Sequence, residues 1–266
     1  MPFAKKFLVL IFILFITKNT FGQDTRLYGS KDYGPIELSS NLINKICQDS
    51  YGFIWIATDY GLNKFDGLRF TQYFYEEDVP NSLLSNNVVT LTLDNSNRLW
   101  IGYNNGLQYY SPKENGFVTI TFPNDINPHV AKIIQLKNGE IWVTTSGEGI
   151  FLINQETSKA EHLEHITQLT GKFLSHIYED RETRLWINVD RQGLVLIDSK
   201  RKTAKTFSAP TIPHNTVTGI VENKEGQLYI SFSNAVCSFD RKSEQFNVIG
   251  RYSIYSMILS KSNAIY

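Results

Sequence analysis

Short apolar runs alternate with polar turns along this chain, and the alternation repeats at a nearly constant spacing. Trp55, Trp100, Trp142 and Trp186 mark one position of the repeat, at spacings of 45, 42 and 44 residues, and Tyr229 continues the series after 43 more. Repeats of ~40–50 residues built from short strands are typical of propellers, in which each repeat is one four-stranded blade. The pattern therefore predicts an all-β propeller with five full repeats and the start of a sixth.

Each repeat opens with a predicted β-hairpin. In the first copy the turn lies between Asp49, which can accept hydrogen bonds from backbone amides, and Gly52, which can adopt a positive φ. The corresponding pairs are Asp94 with Asn97, Asp180 with Thr183, and Asn223 with Gly226. The third copy keeps Gly139 but has Leu136 at the aspartate position. We therefore expect different turn chemistry in that blade.

Two further signals complete the repeat. A glycine and an aliphatic residue after the tryptophan, with another apolar or aromatic residue three positions on, predict a third strand. These glycines are Gly61, Gly106, Gly149 and Gly193. A polar turn and a last short run predict the fourth strand, at residues 68–70, 116–118, 204–207 and 245–248.

The pattern Asp-x-x-Gly-x-x-Trp-Ile-x-Thr-x-x-Gly-Leu-x-x-Phe-Asp is complete from Asp49 to Asp66, and it closely resembles the two-component regulator propeller repeat. The segments at residues 38–41 and 84–87, Leu-Ser-Ser-Asn and Leu-Ser-Asn-Asn, add to the resemblance. In that family such propellers form the periplasmic sensing half of hybrid two-component sensor kinases, often tuned to oligosaccharides. The resemblance implies a sensor of a small polar ligand, with any kinase in a region that this chain lacks.

The recurring tryptophan has a structural interpretation. Each blade needs a large apolar side chain against its neighbour, so we expect these residues in the core and not in a ligand cage. No Trp-Asp pair occurs in the sequence, which argues against WD40 repeats.

Blade topology indicates where a ligand would bind. The first-to-second turns repeat nearly the same chemistry, so we interpret their face as structural. The second-to-third loops lie on the opposite face and differ between blades, which favours recognition; an aromatic ring and amide or carboxylate groups suit a sugar. The candidate ligand-binding residues are Asp59, Tyr60, Asn104, Asn105, Glu148, Arg191 and Gln192. Ordinary exposed loops remain the alternative interpretation.

Charge and composition exclude some partners. The chain has 26 basic and 26 acidic residues, and therefore lacks the basic excess of a nucleic-acid-binding protein. We interpret the densest basic run, at residues 200–202, as a solvated turn. We expect no nucleic-acid partner.

No motif predicts a metal, a cofactor or a catalytic residue. His162 and His165 are three positions apart, and on a strand such side chains point to opposite faces. His129, His176 and His214 are isolated in the sequence. No phosphate-binding loop, nucleophile elbow or zinc signature is present. Cys47 and Cys237 are expected to be buried free thiols.

Two alternatives to a sensor stay open. Several propellers cleave glycans with residues assembled from different blades, so a secreted glycan lyase or hydrolase is compatible with the sequence. A passive protein-binding ring is the third interpretation.

The N-terminus predicts export. Lys5 and Lys6 precede a ten-residue apolar run at residues 7–16, and Gly22 follows as a small residue. Such a run is too short for the ~20 residues of a membrane-spanning helix but fits a signal peptide. We therefore expect a signal peptide at residues 1–22, a propeller at residues 23–266, and a periplasmic location. The full-length protein would be anchored in the inner membrane through the region that carries the kinase.

The C-terminus predicts an incomplete ring. Residues 254–259 read as another inner strand, and residues 264–266 align with Leu228 and Tyr229. The segment at residues 26–28 is the expected closing strand. Open sheet edges can pair with another chain, so a homodimer remains an alternative to a monomer.

Overall fold

The chain forms a series of four-stranded antiparallel sheets. A computed structural model describes residues 37–163, 169–201, 203–253, 257 and 260. Within them, five sheets follow one another, and in each sheet every strand pairs with the next strand along the chain. The sheets are the five predicted blades, and the all-β fold class is confirmed. The signal peptide predicted at residues 1–22 lies outside the described residues.

The strand bounds follow the sequence repeat. Blade 1 contains β1 (Ile43–Gln48), β2 (Ile54–Thr58), β3 (Gly61–Phe65) and β4 (Phe70–Tyr73). Blade 2 contains β5 (Val88–Leu93), β6 (Leu99–Tyr103), β7 (Gly106–Ser111) and β8 (Gly116–Thr119). Blade 3 contains β9 (Val130–Gln135), β10 (Ile141–Thr145), β11 (Ile150–Asn154) and β12 (Lys159–His162). Blade 4 contains β13 (Leu174–Glu179), β14 (Leu185–Val189), β15 (Gly193–Ile197) and β16 (Ala204–Phe207). Blade 5 contains β17 (Val217–Glu222), β18 (Leu228–Phe232), β19 (Ala235–Asp240) and β20 (Gln245–Gly250), and a short 3-10 helix (Pro123–Asp125) precedes blade 3.

One predicted strand is displaced. The fourth strand of blade 1 begins at Phe70, so the prediction of residues 68–70 was wrong by two positions. The cause is Asp66, whose Oδ1 accepts hydrogen bonds from the backbone N–H groups of Leu68 and Arg69, both at 2.7 Å. These bonds hold the preceding residues in a turn, where they cannot pair with β3.

The core lies between the blades. Four hydrophobic clusters fill the four interfaces between successive described blades, and each contains one tryptophan of the repeat. Trp55, Trp100, Trp142 and Trp186 are at most 3% exposed. The first strands of successive blades also contact one another, so they are the inner strands. The structural interpretation of the tryptophans is confirmed.

The repeated aspartate links the hairpin turn to this core. Asp49 Oδ1 accepts hydrogen bonds from the backbone N–H groups of Tyr51 and Phe53, and its Oδ2 accepts one from Trp55 Nε1 at 2.9 Å. Asp94 and Asp180 make the same contacts with Trp100 and Trp186. The six-residue spacing from aspartate to tryptophan therefore allows this hydrogen bond in blades 1, 2 and 4, and the face that carries these hairpins has a structural role.

In blade 3 a different residue accepts the hydrogen bond from the tryptophan. Leu136, at the aspartate position, is 1% exposed and packs in the hydrophobic cluster between blades 3 and 4. Glu140 instead provides the carboxylate, and its Oε2 accepts a hydrogen bond from Trp142 Nε1 at 2.9 Å. The expectation of different turn chemistry in this blade is confirmed.

The basic run at residues 200–202 is not simply a solvated turn. Arg201 donates to the carbonyl oxygen of Thr183 and pairs with Glu179 at 3.3 Å. Its guanidinium also lies 5.4 Å from the ring centre of Trp142, in the preceding blade. The planar guanidinium can stack on an aromatic face while its N–H groups donate, which explains why this residue bridges two blades. Residue 202 lies outside the described residues.

The hairpin turns yield a stability prediction. Thr183 adopts a φ of 60° at the position where Gly52 has a φ of 95°. A β-branched residue is strained in this region. We therefore expect Thr183→Gly to raise the free energy of unfolding by about 1 kcal/mol in urea titrations. The reverse change, Gly52→Thr, meets no atom within 4 Å of the added Cβ and should lower it through backbone strain alone. Equal stability of both variants and the wild type would contradict this account.

The predicted ring termini are largely outside the described residues. The closing segment predicted at residues 26–28 lies outside the described residues, and so does most of the strand predicted at residues 254–259. Met257 in the latter segment is described and is 8% exposed. Met257 lies beside Gly219 in β17. In the described part of the chain, no helix has the length and hydrophobicity needed to cross a membrane.

Candidate functional site

The second-to-third loops and the starts of the inner strands share one face, which we call the loop face. Antiparallel pairing puts Ile43, at the start of β1, opposite Thr58, at the end of β2. The backbone N–H of Asp59 then donates to the carbonyl of Leu42 at 3.1 Å. The equivalent bonds join Ser146 to His129, Asp190 to Phe173 and Ser233 to Thr216. Residues just before each inner strand therefore contribute to the loop face together with the loops.

An open pocket of about 740 Å³ lies on the loop face, over blades 1 to 3. Its polar lining residues are Asn41, Asn44, Asp59, Asn87, Asn104 and His129. Amide, imidazole and carboxylate groups at the mouth of a pocket can give directional hydrogen bonds to a polar ligand.

The structure brings two of the predicted site residues together. Asp59 and Asn104 both line the pocket. Tyr60 lies outside the lining, with its ring centre 5.6 Å from that of Phe74, and Asn105 is also outside it. The side chain of Arg191 is 91% exposed, within 3.5 Å of Asp190.

The remaining candidates lie in blades 3 and 4. Glu148 uses its backbone carbonyl to contact His162 Nε2 at 3.0 Å, and Gln192 donates its backbone N–H to Val189. Neither residue lines the pocket. His165, which the sequence pairs with His162, lies outside the described residues.

Asp59 is the most informative residue of the pocket. Its Oδ1 atom is buried and has no hydrogen-bond partner. Buried carboxylate oxygens are normally satisfied, so an unpartnered one in a native site calls for an explanation. Because Asp59 lines the pocket, its carboxylate could accept a hydrogen bond from a ligand hydroxyl.

The residues that precede the inner strands were not predicted as part of the site. Asn41 and Asn87 belong to the Leu-Ser-x-Asn segments, which served only to support a family resemblance. His129 is isolated in the sequence, but its position before β9 matches that of Asn87 before β5, and both residues line the pocket. Aligning the repeats at the inner strand, and not only at the tryptophan, would have grouped these residues.

Each inner strand also carries an irregularity at the same place. The pairing register between first and second strands shifts at Asn44, Val89, Ala131, Ser175 and Thr218 in blades 1 to 5. These shifts are β-bulges, which redirect the next side chain and often adjoin binding sites. Asn44 and Val89 line the pocket, so the bulges of blades 1 and 2 contribute to its lining.

The residues that follow the bulges include three basic side chains, Lys45, Lys132 and His176, which we call the central cluster. They come from blades 1, 3 and 4, yet their charges interact. Burial and then the charge of Lys45 lower the pKa of Lys132. The pKa of His176 is lowered from 6.5 to about 4 by burial first and then by the charges of Lys132 and Lys45. His176 is isolated in the sequence, yet charges from blades 1 and 3 act on it in the folded protein.

The other groups considered for catalysis or metal binding are the two cysteines and the metal-ligating side chains. Cys47 and Cys237 are free thiols, and burial raises their pKa values to about 12 and about 11. Both are protonated at neutral pH and are therefore poor nucleophiles. Within the described ranges, no three His, Cys, Asp or Glu residues are grouped in a way that could hold a metal ion.

The segments that form most of the pocket also match a known family of repeats. The sequence profile of the two component regulator propeller matches residues 37–60 and 82–105. Each match runs from the segment before an inner strand to the second-to-third loop, in blades 1 and 2. These two segments are similar to two-component regulator propeller repeats. The resemblance seen in the sequence is confirmed, and the pocket of the propeller lies largely within the matched residues.

Solved structures with the same architecture include extracellular domains of two-component systems. The extracellular domain of BT3049 from B. thetaiotaomicron, assigned as a hybrid two component system, is 28% identical with a TM-score of 0.75, over 86% of this chain and 32% of that chain. The extracellular domain of BT4673 from the same organism, with the same assignment, is 20% identical with a TM-score of 0.71, over 85% and 33%. The propeller therefore spans about a third of the length of these domains.

Enzymes share the fold at lower identity. Virginiamycin B lyase from Staphylococcus aureus is 18% identical with a TM-score of 0.58, over 84% of this chain and 83% of the lyase. At this identity the likeness shows the propeller fold alone. No curated protein matches the chain.

Proposed function

We propose that this propeller is the ligand-sensing part of a two-component regulator on the periplasmic side of the membrane. It binds an oligosaccharide or a similar polar ligand at the loop face and leaves it chemically unchanged. The observation that carries the proposal is the unpartnered, buried Oδ1 of Asp59 in a pocket of amide side chains. The 28% identity to an extracellular domain of a hybrid two-component system supports the sensing role.

The pocket suits a hydroxyl-rich ligand. Asparagine amides can donate and accept at once, and so can a sugar hydroxyl, so each contact fixes an orientation. Asn44 already donates from Nδ2 to the carbonyl of Val88 at 2.9 Å, which holds its side chain in place. A site whose polar groups are preorganised in this way binds with a smaller entropy cost.

The chemistry of the pocket favours binding over turnover. Glycoside hydrolysis normally uses two carboxylates on either side of the scissile bond. Asp59 is the one carboxylate among the lining residues of this pocket. A hydroxyl acceptor is therefore a better description of Asp59 than a member of a catalytic pair.

The proposal predicts a loss of affinity on removal of the acceptor. A panel of neutral oligosaccharides is screened by calorimetry against the purified protein, and the tightest binder is carried forward. We expect Asp59→Ala to weaken its binding about tenfold or more, since a hydrogen bond to a charged group contributes about 1.5–3 kcal/mol. The recovered sugar should have an unchanged mass after overnight incubation.

Two matched controls make the test specific. Asn105→Ala changes the same loop face outside the pocket, and Tyr51→Ala changes the opposite face at a residue that is 82% exposed. Both should bind like the wild type. If Asp59→Ala binds the sugar as tightly as the wild type does, Asp59 is not part of the site. If the sugar is cleaved, the protein is an enzyme and not a sensor.

A further inference from the structure

The residue just before each inner strand occupies an equivalent place on the loop face. These residues are Leu42, Asn87, His129, Phe173 and Thr216 in blades 1 to 5. The first three line the pocket, which covers blades 1 to 3. Phe173 therefore holds, in blade 4, the position that contributes to the pocket in each of the three blades before it.

Ser146, in the second-to-third loop of blade 3, connects Phe173 to the pocket. Its backbone N–H donates to the carbonyl of His129 at 2.9 Å. Ser146 also forms an antiparallel β-bridge with Phe173. The backbone of Phe173 therefore lies within about 10 Å, two strand spacings, of the backbone of His129, which lines the pocket.

Phe173 is exposed although its backbone is fixed from both neighbouring blades. Its carbonyl accepts a hydrogen bond from the backbone N–H of Asp190 at 2.8 Å, and the carbonyl of Lys172 accepts one from Gly147 at 2.9 Å. The residue is nevertheless 64% exposed. Single apolar residues are common on protein surfaces. An aromatic side chain on a fixed backbone beside a polar pocket, however, can contact a ligand without the entropy cost of ordering a loop.

The second-to-third loop of blade 4 supplies polar groups next to Phe173. Asp190, which is bonded to the Phe173 carbonyl, has its carboxylate 3.5 Å from Arg191 Nε. Asn215 Nδ2 donates to the carbonyl of Arg191 at 3.2 Å and so holds this loop. The exposed guanidinium can donate to a ligand, and the carboxylate can accept. An aromatic ring beside such groups suits a sugar, which has a face of C–H groups and hydroxyls at its edge.

We propose that Phe173, Asp190 and Arg191 form a second saccharide subsite, in which Phe173 stacks on one sugar ring while the pocket with Asp59 holds another ring of the same ligand. The inference rests on the proposed function for the pocket. It adds the chemical class of the ligand, a neutral oligosaccharide of two or more units. The subsite contributes affinity only for ligands that are long enough to reach it from the pocket.

The first experiment varies the length of the ligand. Gluco-, galacto-, manno- and xylo-oligosaccharides of one to six units are titrated by calorimetry into the wild type and the variants. We expect Phe173→Ala to bind the longer members of the recognised series about tenfold more weakly, because it loses the apolar area that the ring buries against the sugar. It should bind the shortest recognised member like the wild type. Asp59→Ala should weaken the binding of long and short members alike.

The outcomes separate the subsite from the proposed function. If Phe173→Ala binds every member like the wild type while Asp59→Ala is weakened, the second subsite is refuted and the pocket remains. If Phe173→Ala is weakened equally at every length, there is one subsite and not two. If only Phe173→Ala is weakened, the site lies at blade 4 and the role of Asp59 is refuted. If no member binds the wild type, the subsite and the proposed function are both refuted.

Matched variants control for folding and for the loss of any exposed apolar group. Leu68→Ala removes an exposed apolar side chain between β3 and β4, on the face opposite the loop face, and should bind like the wild type. Phe173→Tyr keeps the aromatic ring and should retain the affinity for the longer members. Arg191→Gln should weaken the binding of the longer members only. All of these residues are exposed, so the melting temperatures of the variants should match that of the wild type.

The second experiment detects the stacking directly. Phe173→Trp adds an indole at an exposed position, whereas the four native tryptophans are buried, so acrylamide quenches mainly the fluorescence of the added indole. A saturating concentration of the recognised oligosaccharide should protect this indole from quenching. Tyr51→Trp places an indole at an exposed position of the opposite face and should show no protection. Unchanged quenching of Phe173→Trp in the presence of bound oligosaccharide would overturn the stacking.

Discussion

Trp100→Ala is expected to lower the free energy of unfolding by about 3–5 kcal/mol, the range for emptying a large aromatic side chain from a packed core. Trp100 is fully buried and packs between blades 2 and 3 against Leu107, Ile133 and Ile141. Its removal leaves a cavity and also deprives Asp94 Oδ2 of the indole donor at 3.0 Å. Urea denaturation followed by circular dichroism measures the effect.

Trp100→Phe separates the two contributions. It keeps most of the ring packing and removes the N–H donor, so the loss should fall to about 1–2 kcal/mol, the cost of an unsatisfied buried acceptor. Neither variant should alter ligand affinity where the protein is folded. A Trp100→Ala protein that melts like the wild type but no longer binds the ligand would make Trp100 a contact residue and refute its structural role.

Asp180→Ala should have an effect of comparable size, about 3–5 kcal/mol, because it leaves buried charges without their partner. Asp180 is fully buried and accepts hydrogen bonds from Trp186 Nε1 at 3.0 Å, Arg184 Nε at 2.8 Å and Arg241 at 2.9 Å. Arg241 comes from blade 5 and also pairs with Glu222. This carboxylate therefore joins the hairpin of blade 4 to its own core and to the next blade.

Asp94→Asn and Asp180→Asn form a matched pair. The two aspartates occupy the same place in the repeat, but Asp94 has no arginine on its carboxylate among the described residues. We expect the larger loss at Asp180, and the difference between the variants measures the contribution of Arg184 and Arg241. Equal losses would mean that the arginines contribute nothing to stability.

The pH dependence of the Asp180 variant provides a further check. Burial alone would raise the pKa of Asp180, but hydrogen bonds from Trp186 and Arg184 outweigh it and lower the pKa. The folded state then binds fewer protons than the unfolded chain, so this contribution is present above about pH 4 and is lost as the pH falls through the lowered pKa. The stability gap between wild type and Asp180→Asn should therefore narrow as the pH is lowered below about 4.

The two faces of the propeller differ in whether their buried carboxylate oxygens have hydrogen-bond partners. The hairpin face contains carboxylates that are satisfied by tryptophan, arginine and backbone donors, as at Asp49 and Asp180. The loop face contains a carboxylate oxygen with no hydrogen-bond partner, Oδ1 of Asp59. Satisfied groups stabilise the fold, while unsatisfied ones lower stability and are retained where a ligand completes them.

Local sequence was sufficient to predict the blades. The tryptophan spacing gave the repeat, and the turn glycines gave the strand limits, because a residue with positive φ ends a strand by local geometry alone. The second-to-third loop at Asp59-Tyr60 lies where the pattern predicts it. The one displaced strand, β4, reflects side-chain hydrogen bonds from Asp66 that a hydrophobic pattern does not contain.

The sequence by itself thus determined the fold class and the repeat, and it predicted the loop face as the side on which a ligand binds. The tertiary structure alone decided which residues meet on that face. Asn41, Asn104 and His129 come from different blades and line one pocket. The packing of hydrophobic side chains between successive blades brings them together. Residues that are far apart in the sequence therefore form one pocket only after the blades are assembled.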